Sequence, residues 1–390
     1  RRTAAVCLGA SAARRKDLRV GHEYGPVEAD AAILIRRAAG LFVVGIIATG
    51  CGGDHAGQGR EFGDAAVYVT VAVSDEVLRL DPKTGSLLSR IPLDPRRSES
   101  DEPHGLAISP DGRHWYATLA HGEPTLSKFE RPADRRVGRG RLSSAGAARV
   151  EIDPTGEYGF VADYDRARPG EDGEVLTVRL YDLEVVFRSR VCPAPHHALQ
   201  NPSSGQVAVA CSLGDEIVLL SSPGLAEIDR FPVDDQPGDP GSPRFKPLNL
   251  AWSPDGTRLY VALHLADRIR VFESDGTRVA DVPTGRMPAQ IALSPDGRTL
   301  VAANRGDGTL SLIDTETLQE RSRVEPGAAH PHGIALDDSG TRAFVTCEGT
   351  PTAPGRLVAV DLDDEVPTVA WSVETGSVPL GVAWAPAVTE

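Results

Sequence analysis

Several residue types are scarce in this chain of 390 residues. It has one Met and only 5% aromatic residues, against 40 Gly and 30 Pro. So many turn-forming residues exclude a protein of long helices and favour short strands joined by tight turns. The chain also lacks an excess of positive charge, because it has 41 Lys and Arg residues and 55 Asp and Glu residues. Nucleic-acid binding is not expected, since phosphate backbones attract excess positive charge.

Common catalytic and cofactor motifs are missing as well. The sequence contains no GxSxG, HExxH or Walker motif, which weakens interpretation as a standard hydrolase, a zinc protease or a nucleotide-binding protein. It also contains no CxxCH, so covalent c-type haem is unsupported.

The N-terminal region has the layout of an export signal. Residues 1–30 show no apolar periodicity, and we interpret them as an unassigned tail or a misplaced start. In the next segment, 31–51, two arginines at 36 and 37 precede an apolar run over 38–47 and then small residues. This order is typical of a secretory signal. The run is too short for a membrane span, which needs about 20 apolar residues.

The end of this segment resembles a bacterial lipobox. Small residues precede Cys51, which in that motif is lipidated and becomes the new N-terminus, although Ala48 stands where Leu is usual. An ordinary cleaved signal or an uncleaved anchor is the alternative. Residues 52–64 are Gly-rich and polar, as in a flexible linker. We expect an exported protein, lipid-anchored to a membrane in the periplasm or at the cell surface.

A repeated pattern fills the remaining sequence. HGLAISPDGRHWYAT, LNLAWSPDGTRLYVA and AQIALSPDGRTLVAA share one template, and three weaker copies follow it. Their turn glycines recur every 41 to 51 residues, the length of a four-stranded propeller blade. A seventh repeat is split between the two ends of the pattern. The segment that starts with VYVTVAV has the second, third and fourth strands of a repeat, and PLGVAWAP has the missing first strand. The sequence predicts an all-β, seven-bladed propeller over 65–386, closed by pairing the C-terminal strand with the N-terminal three strands.

These repeats resemble the YVTN-repeat β-propeller family. The resemblance rests on Tyr68-Val69-Thr70 followed by SDEVLRLDPKTG, and on Ala303-Asn304 followed by GDGTLSLIDTETL. The family includes binding proteins, lactonase-like enzymes and propeller domains of metal and haem oxidoreductases. The resemblance therefore implies the fold and leaves the function open.

The loops differ between the two faces of the predicted propeller. Turns between the first and second strands and between the third and fourth are short, as in SPDG and DPKTG, and their acidic residues are structural. Links on the other face are long and irregular, as in DDQPGDPGSPRFK. Because irregular loops on a rigid scaffold often carry function, we expect this face to bind a protein or small-molecule ligand.

Histidines collect on the loop-rich face. Three of them share one repeat position, at the start of the first strand in blades two, four and seven: His104, His196 and His332. Cys211, Cys347 and His264 end second strands, or directly follow them, on the same face. Imidazole and thiolate together suit copper or zinc. The alternatives are strand-entry residues bonded to neighbouring backbone, and acid–base catalysts.

The cysteines allow two arrangements. Cys192 lies in the link that enters the blade of Cys211, so the two can form a disulfide and leave Cys347 free. Alternatively, Cys211 and Cys347 keep their thiols for a metal. An exported protein would meet the oxidising conditions in which disulfides persist.

Five arginines between positions 131 and 141 form a basic cluster in the outer part of the second blade. We interpret them as a solvated edge, with docking of an anionic partner as the alternative.

Three functions remain open at this point. We favour a lipid-anchored binding or assembly module that uses its loop-rich face. The first alternative is a copper- or zinc-dependent or redox enzyme centred on His104, His196 and His332. The second is a lactonase-like hydrolase.

Overall fold

The computed structural model describes residues 61–94, 101–142, 146–350, 352–362 and 366–389. These residues form β-strands joined by turns, and their only helix is a single 3-10 turn at Ala72–Ser74. No helix in this part of the chain is long and apolar enough to span a membrane. The all-β prediction is confirmed.

Seven antiparallel sheets of four strands each form the blades of a propeller. Outside the blades lies β1 (Glu61–Gly63), and blade 1 begins with β2 (Ala66–Val71), β3 (Glu76–Leu80) and β4 (Leu87–Pro92). Blade 2 has β5 (Pro103–Ile108), β6 (His114–Leu119), β7 (Thr125–Glu130) and β8 (Arg135–Arg141). Blade 3 has β9 (Ala147–Ile152), β10 (Tyr158–Asp163), β11 (Asp172–Arg179) and β12 (Glu184–Pro193). Blade 4 has β13 (Pro195–Gln200), β14 (Val207–Cys211), β15 (Glu216–Leu220) and β16 (Glu227–Pro232).

The remaining strands continue the same order. Blade 5 has β17 (Pro247–Trp252), β18 (Arg258–Leu263), β19 (Arg268–Glu273) and β20 (Arg278–Pro283). Blade 6 has β21 (Pro288–Leu293), β22 (Thr299–Asn304), β23 (Thr309–Asp314) and β24 (Gln319–Val324). Blade 7 has β25 (Pro331–Leu336), β26 (Arg342–Cys347), β27 (Gly355–Asp361) and β28 (Thr368–Gly376). The chain then supplies β29 (Pro379–Ala385) and β30 (Val388–Thr389).

The ring closes as the sequence predicts. Strand β29 pairs with β2, from Ala66 opposite Ala385 to Val71 opposite Pro379, and completes blade 1. The first strand of each blade contacts the first strand of the next, so the seven surround a central channel. With β29 in place, blade 1 has four strands like the other six blades, and β2 is paired along both edges.

The boundaries need one correction. Residues 52–64 are predicted to be a flexible linker, but 61–63 form β1, which pairs with β30. The described β-strands therefore extend from 61 to 389. The added pairing satisfies backbone groups that a free linker would leave to water.

Arg131 joins the two ends of the described chain. The interpretation of this residue as part of a solvated edge is therefore wrong. Arg131 is 1% exposed. Its guanidinium donates hydrogen bonds to the carbonyls of Gly112, Asp64 and Pro386, at 2.7 to 2.9 Å. A buried cation needs such partners, because an unsatisfied charge is costly away from water. Arg135 and Arg139 of β8 are exposed, as predicted.

The hydrophobic core lies between adjacent blades. Between blades 1 and 2, the Trp115 ring stacks on Phe129 with centroids 3.9 Å apart. The buried carboxylate of Asp134 accepts hydrogen bonds from Tyr68 and from the Trp115 indole, at 2.8 and 2.9 Å. The faces of the blades are thus buried against one another, and the first strand of each blade lines the central channel.

Candidate functional site

The first strands approach one another closely at the loop-rich mouth of the channel. Gly105, Gly333 and Gly381 each follow the residue at the histidine position. A Cβ atom on Gly333 would lie 2.3 Å from the carbonyl oxygen of Leu380, and one on Gly381 would lie 2.4 Å from that of His104. Only glycine fits such contacts. The close packing narrows the mouth and draws together the side chains on its rim.

Three imidazoles meet at this mouth. The ring centroids of His104 and His196 are 6.2 Å apart, and those of His104 and His332 are 6.1 Å apart. Both pairs meet edge to face, at 84° and 90°. His104 and His196 are buried, whereas His332 is partly exposed. The histidines of three separate blades thus form one cluster, which we call the histidine cluster.

Hydrogen bonds to the neighbouring blade set the tautomer of two rings. His196 Nδ1 lies 2.7 Å from the carbonyl oxygen of Leu248, and His332 Nδ1 lies 3.4 Å from that of Leu380. A carbonyl only accepts, so Nδ1 carries the proton in each ring and Nε2 keeps its lone pair. These are the backbone bonds expected of strand-entry histidines, and they leave one basic nitrogen per ring.

Both of these rings are neutral near pH 7. Burial, reinforced by the neighbouring His104, holds the pKa of His196 well below its usual 6.5. Burial also lowers the pKa of His332 to about 4, although Glu348 opposes the shift. Desolvation penalises the charged imidazolium, so the lone pairs are available across the physiological range.

Aromatic and charged side chains surround the cluster. Tyr164 packs edge-on against His196, with centroids 4.7 Å apart, and the Arg166 guanidinium lies 5.8 Å from the Tyr164 ring centroid. Arg305 forms a two-pronged ion pair with Glu348, at 3.0 and 2.9 Å. These groups give the mouth an apolar face next to hydrogen-bonding groups, as small-molecule sites commonly have.

A second polar network lies deeper in the channel and is missed by the sequence analysis. His197 Nε2 donates to Glu151 at 2.8 Å, and its Nδ1 accepts from the backbone nitrogen of Leu250 at 3.0 Å. Burial alone would raise the pKa of Glu151, but Arg149 and His197 outweigh it and hold that pKa at about 2. A signal exists in the sequence, since blades 3 to 6 carry polar residues where the others carry glycine: Arg149, His197, Asn249 and Gln290.

Cys192 and Cys211 form a disulfide, with Cα atoms 5.7 Å apart. This corrects the suggestion that Cys211 adds a thiolate to a metal site, because its sulfur is already bonded. In the described residues, the one group of three ligand atoms within 4.8 Å of each other is Cys192, Cys211 and Glu216. The histidine cluster is therefore wider than this limit.

The other two suggested ligands, Cys347 and His264, are both buried side chains. Cys347 packs in the hydrophobic core between blades 6 and 7, and burial raises the pKa of its thiol to about 12. A thiol held in this protonated state is a poor metal ligand. His264 is buried, and its Nδ1 lies 3.2 Å from the carbonyl oxygen of Pro288.

Asp163 is a buried carboxyl at the end of β10. It is 5% exposed, and its Oδ1 has no hydrogen-bond partner among the described residues. Burial raises its pKa to about 7, with a smaller contribution from the negative charges of Asp165 and Glu174. The neutral carboxylic acid is favoured because its environment does not solvate a charge.

Comparison with known proteins identifies relatives of this architecture. A family model described as "Lactonase, 7-bladed beta-propeller" matches residues 74–364. A curated protein from Xenorhabdus nematophila, named 6-phosphogluconolactonase, is 23% identical over 262 residues, covering 61% of this chain and 75% of that protein.

Solved structures show the same fold. The periplasmic gluconolactonase of Pseudomonas aeruginosa aligns with a TM-score of 0.64 and 20% identity, covering 82% of this chain and 99% of that one. A functionally unknown protein from Desulfotomaculum acetoxidans aligns with a TM-score of 0.67 and 15% identity, covering 83% and 99%. At these identities the structural likeness establishes the architecture alone.

Proposed function

The chain belongs to the lactonase family of seven-bladed β-propellers, and from this premise we propose that it hydrolyses a lactone at the mouth of its channel. The names of the curated relative and of the Pseudomonas neighbour support a sugar-acid lactone as the substrate class. The observation that carries the proposal is the histidine cluster, where two neutral imidazoles keep Nε2 lone pairs. The neutral imidazoles and the lactonase relatives together favour a hydrolase over the binding or assembly module that the sequence alone suggested.

The chemistry needs a water, a proton acceptor and a proton donor. In our proposal, an Nε2 atom of the cluster accepts a proton as the water oxygen attacks the lactone carbonyl carbon. The tetrahedral intermediate then collapses, the bond between that carbon and the ring oxygen breaks, and the imidazolium returns its proton to the ring oxygen. One water is consumed, and a hydroxy acid is released.

His196 is the best candidate for the proton acceptor. Its Nδ1 hydrogen bond is the shorter of the two, at 2.7 Å against 3.4 Å for His332, so its ring is held more firmly. Tyr164 packs on the same ring and restricts it further. A base held in one orientation contributes typically about 100- to 10,000-fold to the rate.

The test is a lactonase assay with a matched pair of variants. Purified protein is mixed with glucono-δ-lactone or its 6-phospho form in weak buffer, and acid release is followed after subtracting spontaneous hydrolysis. We expect acceleration by the wild type and a loss of at least about 100-fold in His196→Ala. His114→Ala, which changes a histidine of blade 2 at the opposite end of its blade, should retain activity. No acceleration of either lactone, or full activity in His196→Ala, contradicts the proposal.

We also propose that the protein is exported and held at a membrane through Cys51. That residue and the rest of segment 31–51 lie outside the described residues, so the support comes from the sequence and from the Cys192–Cys211 disulfide. Structural disulfides form mainly in oxidising compartments. Cell fractionation tests this, because Cys51→Ser should leave the membrane fraction while Cys347→Ser stays there. Equal distribution of both variants would contradict it.

A further inference from the structure

We propose that His104 is a second catalytic residue, whose Nε2 donates a hydrogen bond to the carbonyl oxygen of the lactone and to the oxyanion that forms there. This inference rests on the proposed function, in which His196 is the proton acceptor. Negative charge collects on the carbonyl oxygen when water adds to the carbonyl carbon, and a donor aimed at that oxygen stabilises the transition state. His104 would supply this donor.

The three rings of the histidine cluster differ at Nδ1. In His196 and His332 this atom donates to a backbone carbonyl, so Nε2 of the neutral ring carries a lone pair. His104 Nδ1 lies 3.9 Å from a carboxylate oxygen of Glu102, which is too long for a hydrogen bond. That contact does not fix the proton on Nδ1. A neutral His104 can therefore carry its proton on Nε2, and a protonated ring carries one there as well.

The Nε2 atom of His104 is also the unsatisfied atom of the cluster. It is buried and has no hydrogen-bond partner in the described part of the chain, and the whole residue is 8% exposed. Buried polar atoms are nearly always paired, so an unpaired one needs an explanation. A substrate oxygen would satisfy this nitrogen. A donor held away from bulk water also stabilises developing charge more strongly than a solvated donor does.

The position of His104 suits a shared substrate. Its ring centroid lies 6.2 Å from that of His196, and 6.1 Å from that of the partly exposed His332. A hydrogen-bonded oxygen lies about 3 Å from its donor nitrogen, and a carbonyl bond is about 1.2 Å long. One lactone carbonyl can therefore accept from His104 while its carbon faces a water bound at His196.

The reaction leaves His104 unchanged. As the water oxygen forms its bond to the carbonyl carbon, the water proton moves to His196 Nε2 and the carbonyl π electrons move onto the oxygen. The resulting oxyanion accepts a hydrogen bond from His104 Nε2, which keeps its proton throughout. When the carbonyl re-forms, the bond to the ring oxygen breaks, and the ring oxygen takes the proton from His196. One water is consumed, and one hydroxy acid is released.

Two substitutions at position 104 test the donor. His104→Leu removes it in a form that the fold accepts, because Leu248 and Leu380 occupy the same repeat position in blades 5 and 1. His104→Gln keeps an amide N–H near the place of Nε2. With the two lactones of the assay above, kcat should fall by at least about 100-fold in His104→Leu while KM changes little, because the donor acts in the transition state. His104→Gln should recover at least about 10-fold of this loss.

The outcomes separate this inference from the proposed function. His114→Leu is the matched control and should keep the wild-type kcat, and circular dichroism checks that every variant folds. If the wild type is active and His104→Leu keeps its kcat, this inference alone is overturned. Equal losses in the folded Leu and Gln variants also overturn it, as does a loss confined to KM. A wild type that accelerates neither lactone overturns the proposed function.

Nitrogen-15 NMR locates the proton without reference to activity. In protein labelled with 15N-histidine at pH 8, long-range correlations distinguish protonated from unprotonated ring nitrogens, and the His104→Gln spectrum identifies the His104 signals by their loss. We expect the proton on Nε2 in His104 and on Nδ1 in His196 and His332. A His104 ring protonated at Nδ1 alone overturns the inference, even in an active enzyme.

Discussion

Replacing Asp163 with Asn should stabilise the protein, and the gain should depend on pH. The carboxyl is 5% exposed, its Oδ1 is unpartnered among the described residues, and burial raises its pKa from 3.8 to about 7. Between these values the native state holds a proton that the unfolded chain has lost. The wild type therefore loses stability as pH rises from about 4 to about 7.

The magnitude follows from the size of the shift. Each pKa unit corresponds to about 1.4 kcal/mol, so ionising this group in the native state costs at most about 4 kcal/mol above pH 7. Solvent at the channel mouth screens part of this cost, and we expect a gain of about 2 kcal/mol in Asp163→Asn at pH 8. At pH 4 the wild-type carboxyl is protonated in the native state, so the gain should nearly vanish.

Urea unfolding followed by circular dichroism at pH 4, 6 and 8 measures this difference. Asp229→Asn is the control, because that exposed carboxylate lies on the outer strand β16 and its loss should change stability by less than about 0.5 kcal/mol. A gain that is equal at all three pH values would refute the reasoning. Destabilisation at pH 8 would also refute it, since it would show that the native structure uses the charge.

Three further perturbations test the scaffold. Arg131→Ala should cost about 3 kcal/mol or more in urea unfolding, because a buried guanidinium and its hydrogen bonds to three backbone carbonyls are lost. Arg135→Ala on the exposed strand should cost under about 0.5 kcal/mol, and equal effects would contradict the buried link. Glu151→Gln should lower the free energy of unfolding by about 2 kcal/mol at pH 7. This loss should shrink as pH falls from 4.5 toward 2, because the wild-type carboxylate is protonated in that range and loses its ion pair and its bond to His197; a loss independent of pH would contradict this. Removing the disulfide by Cys192→Ala should cost about 3 kcal/mol of unfolding free energy, and an unchanged thermal melt would contradict it.

The number of blades and the closure of the ring could be read from the sequence because they depend on local signals. Short apolar runs specify the inner strands, and a turn glycine separates the first and second strands in six of the seven blades. Repetition confirms the period several times in one chain. The split seventh repeat then determines the closure, since PLGVAWAP has no sheet to join except the one begun by VYVTVAV.

The shared position of His104, His196 and His332 could also be predicted from the sequence, because residues aligned in a repeat occupy equivalent places in space. Their chemical roles could not be predicted in this way. Whether an imidazole faces a carbonyl, a carboxylate or another ring depends on the neighbouring blade, which lies about 50 residues away in sequence.

The sequence by itself determined the all-β propeller, the loop-rich face and the grouping of three histidines, since these follow from periodicity and turn chemistry. Only the tertiary structure decided that Cys211 is bonded to Cys192, that Arg131 is buried, and that His197 joins Glu151. Each of these facts depends on the distance between side chains of different strands or blades. Such distances are fixed by how the sheets pack around the channel, and a pattern read along one strand does not contain them.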